Sequence, residues 1–334
     1  MIDFISIIGT RPQIMKVDLG WNFNHKVIWT GQHYDHFMKD IFFDDMDIGG
    51  FDYELDTKDF VRMIQKTKAI LKKEKPKVVI VYGDCRSTLA GAIAAHELNI
   101  PIAHVESGMR CFRKDMPEER IRVIVDHISS VLFCSDFRSV TNLEKEGIRK
   151  KVFYVGNTMF DTFNTFCPIK KSDDYQEHSY LSIHRQENAD SHIRLENIFE
   201  GIEASKESFK FPAHPRIMKM IDKFKIELPK NIEVIKPLSY KKNLHLISNA
   251  RRVLTDSGGV QNEAYWMGVP CGVLRHETEW KDFVEDGWSV LVNDDPVDIE
   301  KFMKRKFALA SPRPHLPKFG AKKKIKTILH ELYA

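Results

Sequence analysis

The chain has 334 residues, of which 43% are hydrophobic and 29% are charged, and its formal net charge is +4. These values are typical of a soluble globular protein of about two domains. The near balance of charges argues against a nucleic-acid partner, and no apolar run approaches the roughly 18 residues of a membrane span. The five cysteines are widely spaced, odd in number and without a CxxC pair. They argue against disulfides or a zinc site and predict a cytoplasmic protein.

Short apolar strands alternate with helical segments through the first half of the chain. The strand segments in order are FISIIG, HKVIWTG, KVVIVYGD, IPIAHVESG, SVLFCS and VFYVGN. Strands that are apolar throughout and joined by helices are typical of a parallel sheet covered on both faces. We therefore predict a Rossmann-like domain over residues 1–162.

The alternation stops at residues 163–177, where Cys167-Pro168 and a polar run predict a linker. It resumes over residues 178–318 with SYLSIH, FKFPAH, IEVIKP, RRVLTDSGG, PCGVLR and SVLVND, and a last helix is expected in 319–334. The predicted fold class is α/β, with two Rossmann-like doubly wound parallel-sheet domains that face a cleft. Ligands of such folds bind at the carboxyl ends of the strands, so functional residues are expected just after them.

The first predicted strand runs into the motif GTRPQIMK, Gly9 to Lys16. It lacks the GxGxxG fingerprint, which removes the main support for a nicotinamide or flavin cofactor. Arg11 and Lys16 place two cations at a helix start, where backbone N–H groups favour an anion. Phosphate contact and ordinary surface charge explain this pattern equally well.

Three acidic residues are candidates for acid–base chemistry. Asp84 follows an apolar strand, although capping of the next helix would also explain it. Glu106 interrupts a strand end and is expected to face the cleft, with Arg110 as the nearest candidate partner, because a buried carboxylate is costly unless paired. Glu118 and Arg122 lie four apart on one helix and can pair, as in an ordinary surface ion pair. We predict that each of the three acids follows a different strand of one sheet, so that they can converge and shift each other's pKa values.

The second half carries candidate residues for binding an anion. His184 and His214 follow the first two strands of the second domain. In LTDSGGVQNEAYWMG a strand gives way to a serine and two glycines, with Glu263 about one turn later. Glycines allow backbone N–H groups to approach a diphosphate at a helix start, while a tight turn would explain the same residues. The residues in question are Ser257, Gly258 and Gly259.

Taken together, these segments resemble the non-hydrolysing UDP-N-acetylglucosamine 2-epimerases over nearly the whole chain. The shared motifs, in order, are GTRPQ..K, TGQHYD, VYGD..STLAGA, HVE.G.R, MPEE.IR, HR.EN, TDSGG.Q.EA and R..TEW...VE.G. The resemblance implies the GT-B arrangement, with a UDP-sugar in the cleft and the last helix packed back on the first domain. It also implies a homodimer and a reaction that needs no metal or redox cofactor.

The family reaction inverts C2 of the sugar. UDP is eliminated to leave a 2-acetamidoglucal and then adds back to the other face. By resemblance, the catalytic residues are Asp84, Glu106, Glu118 and His184. The residues implied in UDP-sugar binding are Arg11, Lys16, Arg122, His214, Ser257, Gly258, Gly259 and Glu263.

Some positions depart from the family pattern. Gln13 stands where many members carry Glu, Trp280 begins a WKD segment where one large subgroup has Arg-Pro-Glu, and the stretch after Lys16 is shortened. The TEW form occurs in a subgroup that includes epimerases of other UDP-2-acetamido sugars, such as a 2,3-diacetamido uronate. A hydrolysing epimerase, a GT-B glycosyltransferase and a nucleotide-sugar-binding protein without catalysis are further alternatives. The three acids and His184 favour epimerisation.

Overall fold

A computed structural model describes residues 2–17, 24–32, 50–166, 178–307 and 312–333, with only the backbone of Arg11. The chain forms two compact units. Unit 1 contains residues 1–165 and 317–334, and unit 2 contains residues 166–316. The chain therefore leaves unit 1 once and returns to it at its end.

Unit 1 is built on a seven-stranded sheet in the order β3-β2-β1-β4-β5-β6-β7. All of its described strand pairs are parallel. The apolar runs of the sequence account for every strand except the short β3. The strands are β1 (Phe4–Ile8), β2 (His25–Trp29), β3 (Tyr53–Glu54), β4 (Val78–Tyr82), β5 (Ile102–Val105), β6 (Val131–Cys134) and β7 (Val152–Tyr154).

Helices follow most strands of unit 1 and bury its sheet. Ile5 and Ile7 of β1 and Val79 and Val81 of β4 are fully buried at the centre of the core, as expected for strands covered on both faces. The helices of the first segment are α1 (Arg11–Lys16), α2 (Phe60–Glu74), α3 (Arg86–His96), α4 (Pro117–Ile128), α5 (Phe137–Lys145) and α6 (Thr158–Phe166).

Unit 2 repeats the plan with six parallel strands in the order β10-β9-β8-β11-β12-β13. The strands are β8 (Ser179–Ser182), β9 (Phe209–Pro212), β10 (Ile232–Ile235), β11 (Val253–Thr255), β12 (Cys271–Val273) and β13 (Ser289–Leu291). The helices are α7 (Gln186–Ala189), α8 (His192–Ser205), α9 (Pro215–Phe224), α10 (Tyr240–Ser248), α11 (Gly258–Met267), α12 (Lys281–Glu285) and α13 (Pro296–Lys304). The prediction of two Rossmann-like doubly wound parallel sheets is confirmed.

Both strand orders reverse direction at one place. In unit 1, β2 and β3 lie on one side of β1, and β4 and the strands after it lie on the other side. In unit 2, β9 and β10 lie on one side of β8, and β11 and the strands after it lie on the other side. Loops that leave the carboxyl ends of two such strands diverge and leave a crevice, which is where ligands of open α/β sheets bind. The sequence candidates can therefore be located against two defined switch points.

The predicted linker differs from the structure where the two can be compared. Residues 163–166 continue α6, and Phe163 is fully buried. The rest of the predicted linker, 167–177, lies outside the described residues, as does most of the shortened stretch after Lys16.

The last helix, α14 (Ala321–Tyr333), belongs to unit 1. Its buried face consists of Ala321, Ile325 and Leu329. Its start is held by Asp161 of α6, whose carboxylate accepts the backbone N–H groups of Gly320 and Lys322, each at 2.8 Å. Among the helices described, none has the length and apolar character needed to cross a bilayer.

Candidate functional site

Gln13 joins the two loops at the switch point of unit 1. Its Oε1 accepts the backbone N–H groups of Gly9 at 2.7 Å and Thr10 at 3.1 Å. Its Nε2 donates to the carbonyl of Tyr82 at 2.7 Å and to Oγ1 of Thr88 at 3.0 Å. A glutamate has no N–H to donate to that carbonyl, so the amide accounts for the departure seen in the sequence. Gln13 ties the β1 loop to the β4 loop.

Lys16, at the end of α1, forms an ion pair with Glu106, just after β5. The Lys16 Nζ lies 2.5 Å from Oε2 of Glu106, and both side chains are nearly buried. Glu106 has φ of +69°, and its N–H donates to the carbonyl of Phe133 at 3.0 Å. A left-handed conformation is costly for a residue with a side chain, and residues held in it away from helix ends are enriched at functional sites. The backbone conformation thus presents the carboxylate to Lys16.

Asp84, two residues after β4, forms an ion pair with Nη2 of Arg122 on α4. The other guanidinium nitrogen, Nη1, donates to Oε2 of Glu119 at 3.0 Å. The Arg122 side chain is 5% exposed and the Asp84 side chain is 29% exposed. The cap of α3 is Cys85, so capping does not explain Asp84. A buried cation therefore holds a carboxylate that remains open to solvent.

Two pairings predicted from the sequence are wrong. Glu106 pairs with Lys16 and not with Arg110, whose guanidinium instead lies 2.8 Å from Asp126 and 2.7 Å from Glu146. Arg122 pairs with Glu119, three residues away, and not with Glu118. Glu119 is the buried acid of α4, and it also accepts the N–H groups of Cys111 and Phe112.

Glu118 is placed differently from the expectation. It lies in the first turn of α4, so it follows β5 just as Glu106 does, and the three acids do not follow three different strands. Its side chain is partly exposed and has no hydrogen-bond or ion-pair partner within the described ranges. Arg11 begins α1, and nothing is described of its side chain.

At the switch point of unit 2, His184 is fixed by a buried carboxylate. Asp256, just after β11, accepts the N–H groups of His184 and Arg185 at 3.0–3.2 Å and Nδ2 of Asn188 at 3.1 Å. Nδ1 of His184 lies 3.0 Å from Oδ1 of the same carboxylate. Burial alone would raise the pKa of Asp256, but the imidazole and these hydrogen bonds outweigh it and lower that pKa. The Nδ1 proton faces Asp256, so Nε2 of the half-exposed ring is left for a ligand.

The serine and glycines begin helix α11. Ser257 is the N-cap, and its Oγ accepts the N–H of Val260 at 3.3 Å. A Cβ built on Gly258 would meet only Nε1 of Trp280, at 3.5 Å, among described atoms outside its own helix and chain neighbours. Packing therefore leaves space for a side chain at this glycine. An open helix start of this kind is suited to an anion.

The remaining two candidates in unit 2 differ in their surroundings. His214 is the N-cap of α9, and its Nδ1 accepts the N–H of Arg216 at 3.1 Å. This bond requires the lone pair of Nδ1, so His214 has a structural role whatever Nε2 contacts. Glu263 lies on α11 and is almost fully buried.

Two doubly wound parallel sheets, with charged groups and an open helix start near their switch points, make this an α/β protein of the GT-B class. A family model described as UDP-N-acetylglucosamine 2-epimerase matches residues 17–332. The chain belongs to the UDP-N-acetylglucosamine 2-epimerase family, as the sequence motifs predicted.

Three similar proteins illustrate the relationship. A UDP-N-acetylglucosamine 2-epimerase homolog of Methanococcus maripaludis is 42% identical over 86% of this chain and 88% of its own length. The UDP-2,3-diacetamido-2,3-dideoxy-D-glucuronate 2-epimerase of Pseudomonas aeruginosa is 37% identical over 86% of this chain and 87% of its own. A third similar protein is Methanocaldococcus jannaschii UDP-GlcNAc 2-epimerase, whose crystal structure in complex with UDP-GlcNAc and UDP shows 36% sequence identity to this chain. It covers 98% of this chain and 99% of its own, with a TM-score of 0.90.

Proposed function

We propose that this protein is a non-hydrolysing UDP-N-acetylglucosamine 2-epimerase, an isomerase that interconverts UDP-GlcNAc and UDP-ManNAc. The observation that carries the proposal is the pair of charge-compensated carboxylates beside the switch point of unit 1. Asp84 is held by Arg122 and Glu106 by Lys16, at the ends of the neighbouring strands β4 and β5. Family membership supplies the reaction to which these groups are suited.

The reaction requires residues of unit 1 to remove the C2 proton from one face and to return a proton to the other. A carboxylate takes the C2 proton while the C1–O bond to the diphosphate breaks, and the electron pair of that bond leaves with UDP as the C1=C2 double bond forms. The reverse addition delivers a proton to the opposite face of C2. We assign these proton transfers to Asp84, Glu106 and Glu118, since a positioned carboxyl group can take up a proton and return one during such steps. Arg11, Lys16 and Arg122 are assigned to the phosphate or the sugar.

Unit 2 is assigned to hold UDP. The open start of α11 offers backbone N–H groups to the diphosphate through Ser257, Gly258 and Gly259. Nε2 of His184 is directed away from Asp256 and can donate to the departing phosphate oxygen when the ring is protonated. Glu263 is assigned to the ribose hydroxyls and His214 to UDP-sugar binding.

A second candidate is the same chemistry on a UDP-2,3-diacetamido uronate. It is favoured by the 37% identity to the Pseudomonas aeruginosa enzyme, which covers the same 86% share of this chain as the Methanococcus maripaludis relative. The reacting carbons are the same in both sugars, so the proposed acid–base residues serve either substrate.

Proton exchange at C2 tests the proposed function. The purified protein is incubated in D2O with UDP-GlcNAc and, separately, with a UDP-2,3-diacetamido uronate, and the C2 position is followed by NMR. We expect deuterium at C2 and a new epimer with UDP-GlcNAc. Turnover of the uronate alone would select the second candidate. Free sugar and UDP would indicate a hydrolysing enzyme, and no exchange with either sugar would contradict both candidates.

We also propose a cytoplasmic homodimer. The described cysteines Cys85, Cys111, Cys134 and Cys271 are free thiols, which suits a reducing compartment. The homodimer follows from the family resemblance alone.

A further inference from the structure

A buried histidine links the two loops that carry the candidate carboxylates. His104 lies on β5 and is fully buried. Its Nε2 is 2.8 Å from the carbonyl oxygen of Gly83, the residue before Asp84. Its Nδ1 is 2.7 Å from Oδ1 of Asp126, on α4. Neither the sequence motifs nor the proposed reaction assigns this residue a role.

The carboxylate of Asp126 extends this link to the second loop. Its Oδ2 accepts the N–H of Gly108, two residues after Glu106, at 3.1 Å, and lies 2.8 Å from Nη2 of Arg110. Gly108 has φ of +79°, and a Cβ there would lie 2.3 Å from the carbonyl oxygen of Ser139, so the backbone is tightly confined. One imidazole and one carboxylate thus connect the β4 loop, the β5 loop and α4.

The partners of His104 determine its protons. A carbonyl oxygen and a carboxylate can only accept, so each ring nitrogen needs its own proton. Burial alone would raise the pKa of Asp126, but His104 and Arg110 outweigh it and lower that pKa, which keeps the carboxylate ionised. The positive charge of the imidazole then lies beside the negative charge of Asp126, so neither charge is buried without a compensating one.

We propose that His104 is a positioning residue for the epimerisation. As a doubly protonated imidazole it fixes the carbonyl of Gly83 and, through Asp126, the N–H of Gly108. It thereby sets the separation between the carboxylates of Asp84 and Glu106. The proposal rests on the proposed function, because the separation matters only if both groups act on one sugar.

Two substitutions and a matched control test the kinetic role. His104→Gln loses one of the two links, and we expect kcat to fall by about ten-fold to a hundred-fold with KM and UDP affinity nearly unchanged, since small misplacements of reacting groups are costly. Asp126→Asn can accept from Gly108 and donate to a neutral His104, so a smaller loss is expected. His25→Gln removes an imidazole of the same sheet that binds Oγ of Ser6 at 2.8 Å and should retain kcat.

Ring-nitrogen NMR of histidine-labelled protein near neutral pH tests the protonation independently. The signal lost in His104→Gln should show protons on both nitrogens, and Asp126→Asn should convert it to the neutral form with Nε2–H. Wild-type kcat in a folded His104→Gln protein, or a fall equal to that of His25→Gln, would overturn the positioning role. A neutral imidazole in the wild type would overturn the proton assignment. Failure of the wild type to exchange C2 protons would instead contradict the proposed function, and the imidazole spectrum would still decide the state of His104.

Discussion

At the scale of single residues, Glu106 combines a left-handed backbone with a nearly buried ion pair. A non-glycine residue at φ of +69° is retained at a cost, and here it places a carboxylate 2.5 Å from a nearly buried ammonium. The sequence predicted that Glu106 would need a partner, because an isolated buried charge is expensive. It could not identify Lys16, which approaches from a different strand–helix connection, and proposed the nearer Arg110.

Glu106→Gln should keep UDP binding and lose turnover. The amide cannot accept the C2 proton, and a general base contributes about a hundred-fold or more to such a rate. UDP affinity, measured by calorimetry, should be nearly unchanged because Glu106 itself is not assigned to UDP and the groups of unit 2 that are assigned to it stay intact, while C2 deuterium exchange should fall at least about a hundred-fold. The matched control is Glu97→Gln, which breaks an exposed ion pair with Lys68 and should have no effect. A wild-type exchange rate in Glu106→Gln would remove it from the proposed mechanism.

At the scale of elements, strand positions were predictable and side-chain orientations on helices were not. Buried strands are apolar on both faces, so a run of apolar residues suffices to locate them, whereas β3 has only two residues and gives no such run. In α4, Glu119, Arg122 and Asp126 share the buried face at the spacing i, i+3, i+7. The sequence reading chose Glu118 as the partner of Arg122, because neighbouring acids cannot be told apart until the packing of the helix is known. Asp256 could likewise be placed only at the end of a strand, and its contacts with His184 could not be predicted.

A substitution at the start of α11 can separate an effect on UDP binding from an effect on folding stability. Gly258→Ala should leave the Tm unchanged or slightly higher, because alanine in a helix is favoured over glycine by about 0.5–1 kcal/mol and the space around Gly258 is open. The added methyl group would occupy the place assigned to the diphosphate, so we expect UDP affinity to fall at least about ten-fold.

Gly201→Ala is the opposite control for this prediction. A Cβ there would lie 2.8 Å from Ile299, so the Tm should fall while the folded protein binds UDP normally. Unchanged UDP affinity in Gly258→Ala would place the diphosphate elsewhere.

At the scale of the whole molecule, unit 1 depends on a segment that follows unit 2 in the chain. The carboxylate of Asp161 supplies the acceptors for two backbone N–H groups at the start of α14, a role usually filled by a neighbouring cap residue. Lys322 adds bonds from its Nζ to the carbonyl of Val17 and to Oγ1 of Thr162. The family resemblance implied this return, but it gave Asp161 no role in it.

Asp161→Ala should weaken unit 1 selectively. The substitution leaves two helix-start N–H groups without acceptors, which should cost about 2 kcal/mol or more. We expect the calorimetric transition of unit 1 to shift down and α14 to be released more readily by limited proteolysis. Asp295→Ala, which removes the local cap of α13, should affect only unit 2. An unchanged transition for unit 1 would show that the apolar face of α14 is sufficient to hold it.

The divided layout of unit 1 also sets an order of assembly. Unit 2 is one continuous stretch, so it can fold as soon as it leaves the ribosome, whereas unit 1 cannot be finished until unit 2 has been made. A nascent chain stopped before Gly320 would expose the apolar surface that α14 covers and would leave Asp161 without the N–H groups it accepts. Interrupted synthesis would thus yield a product that cellular proteases can recognise by the exposed apolar surface of unit 1.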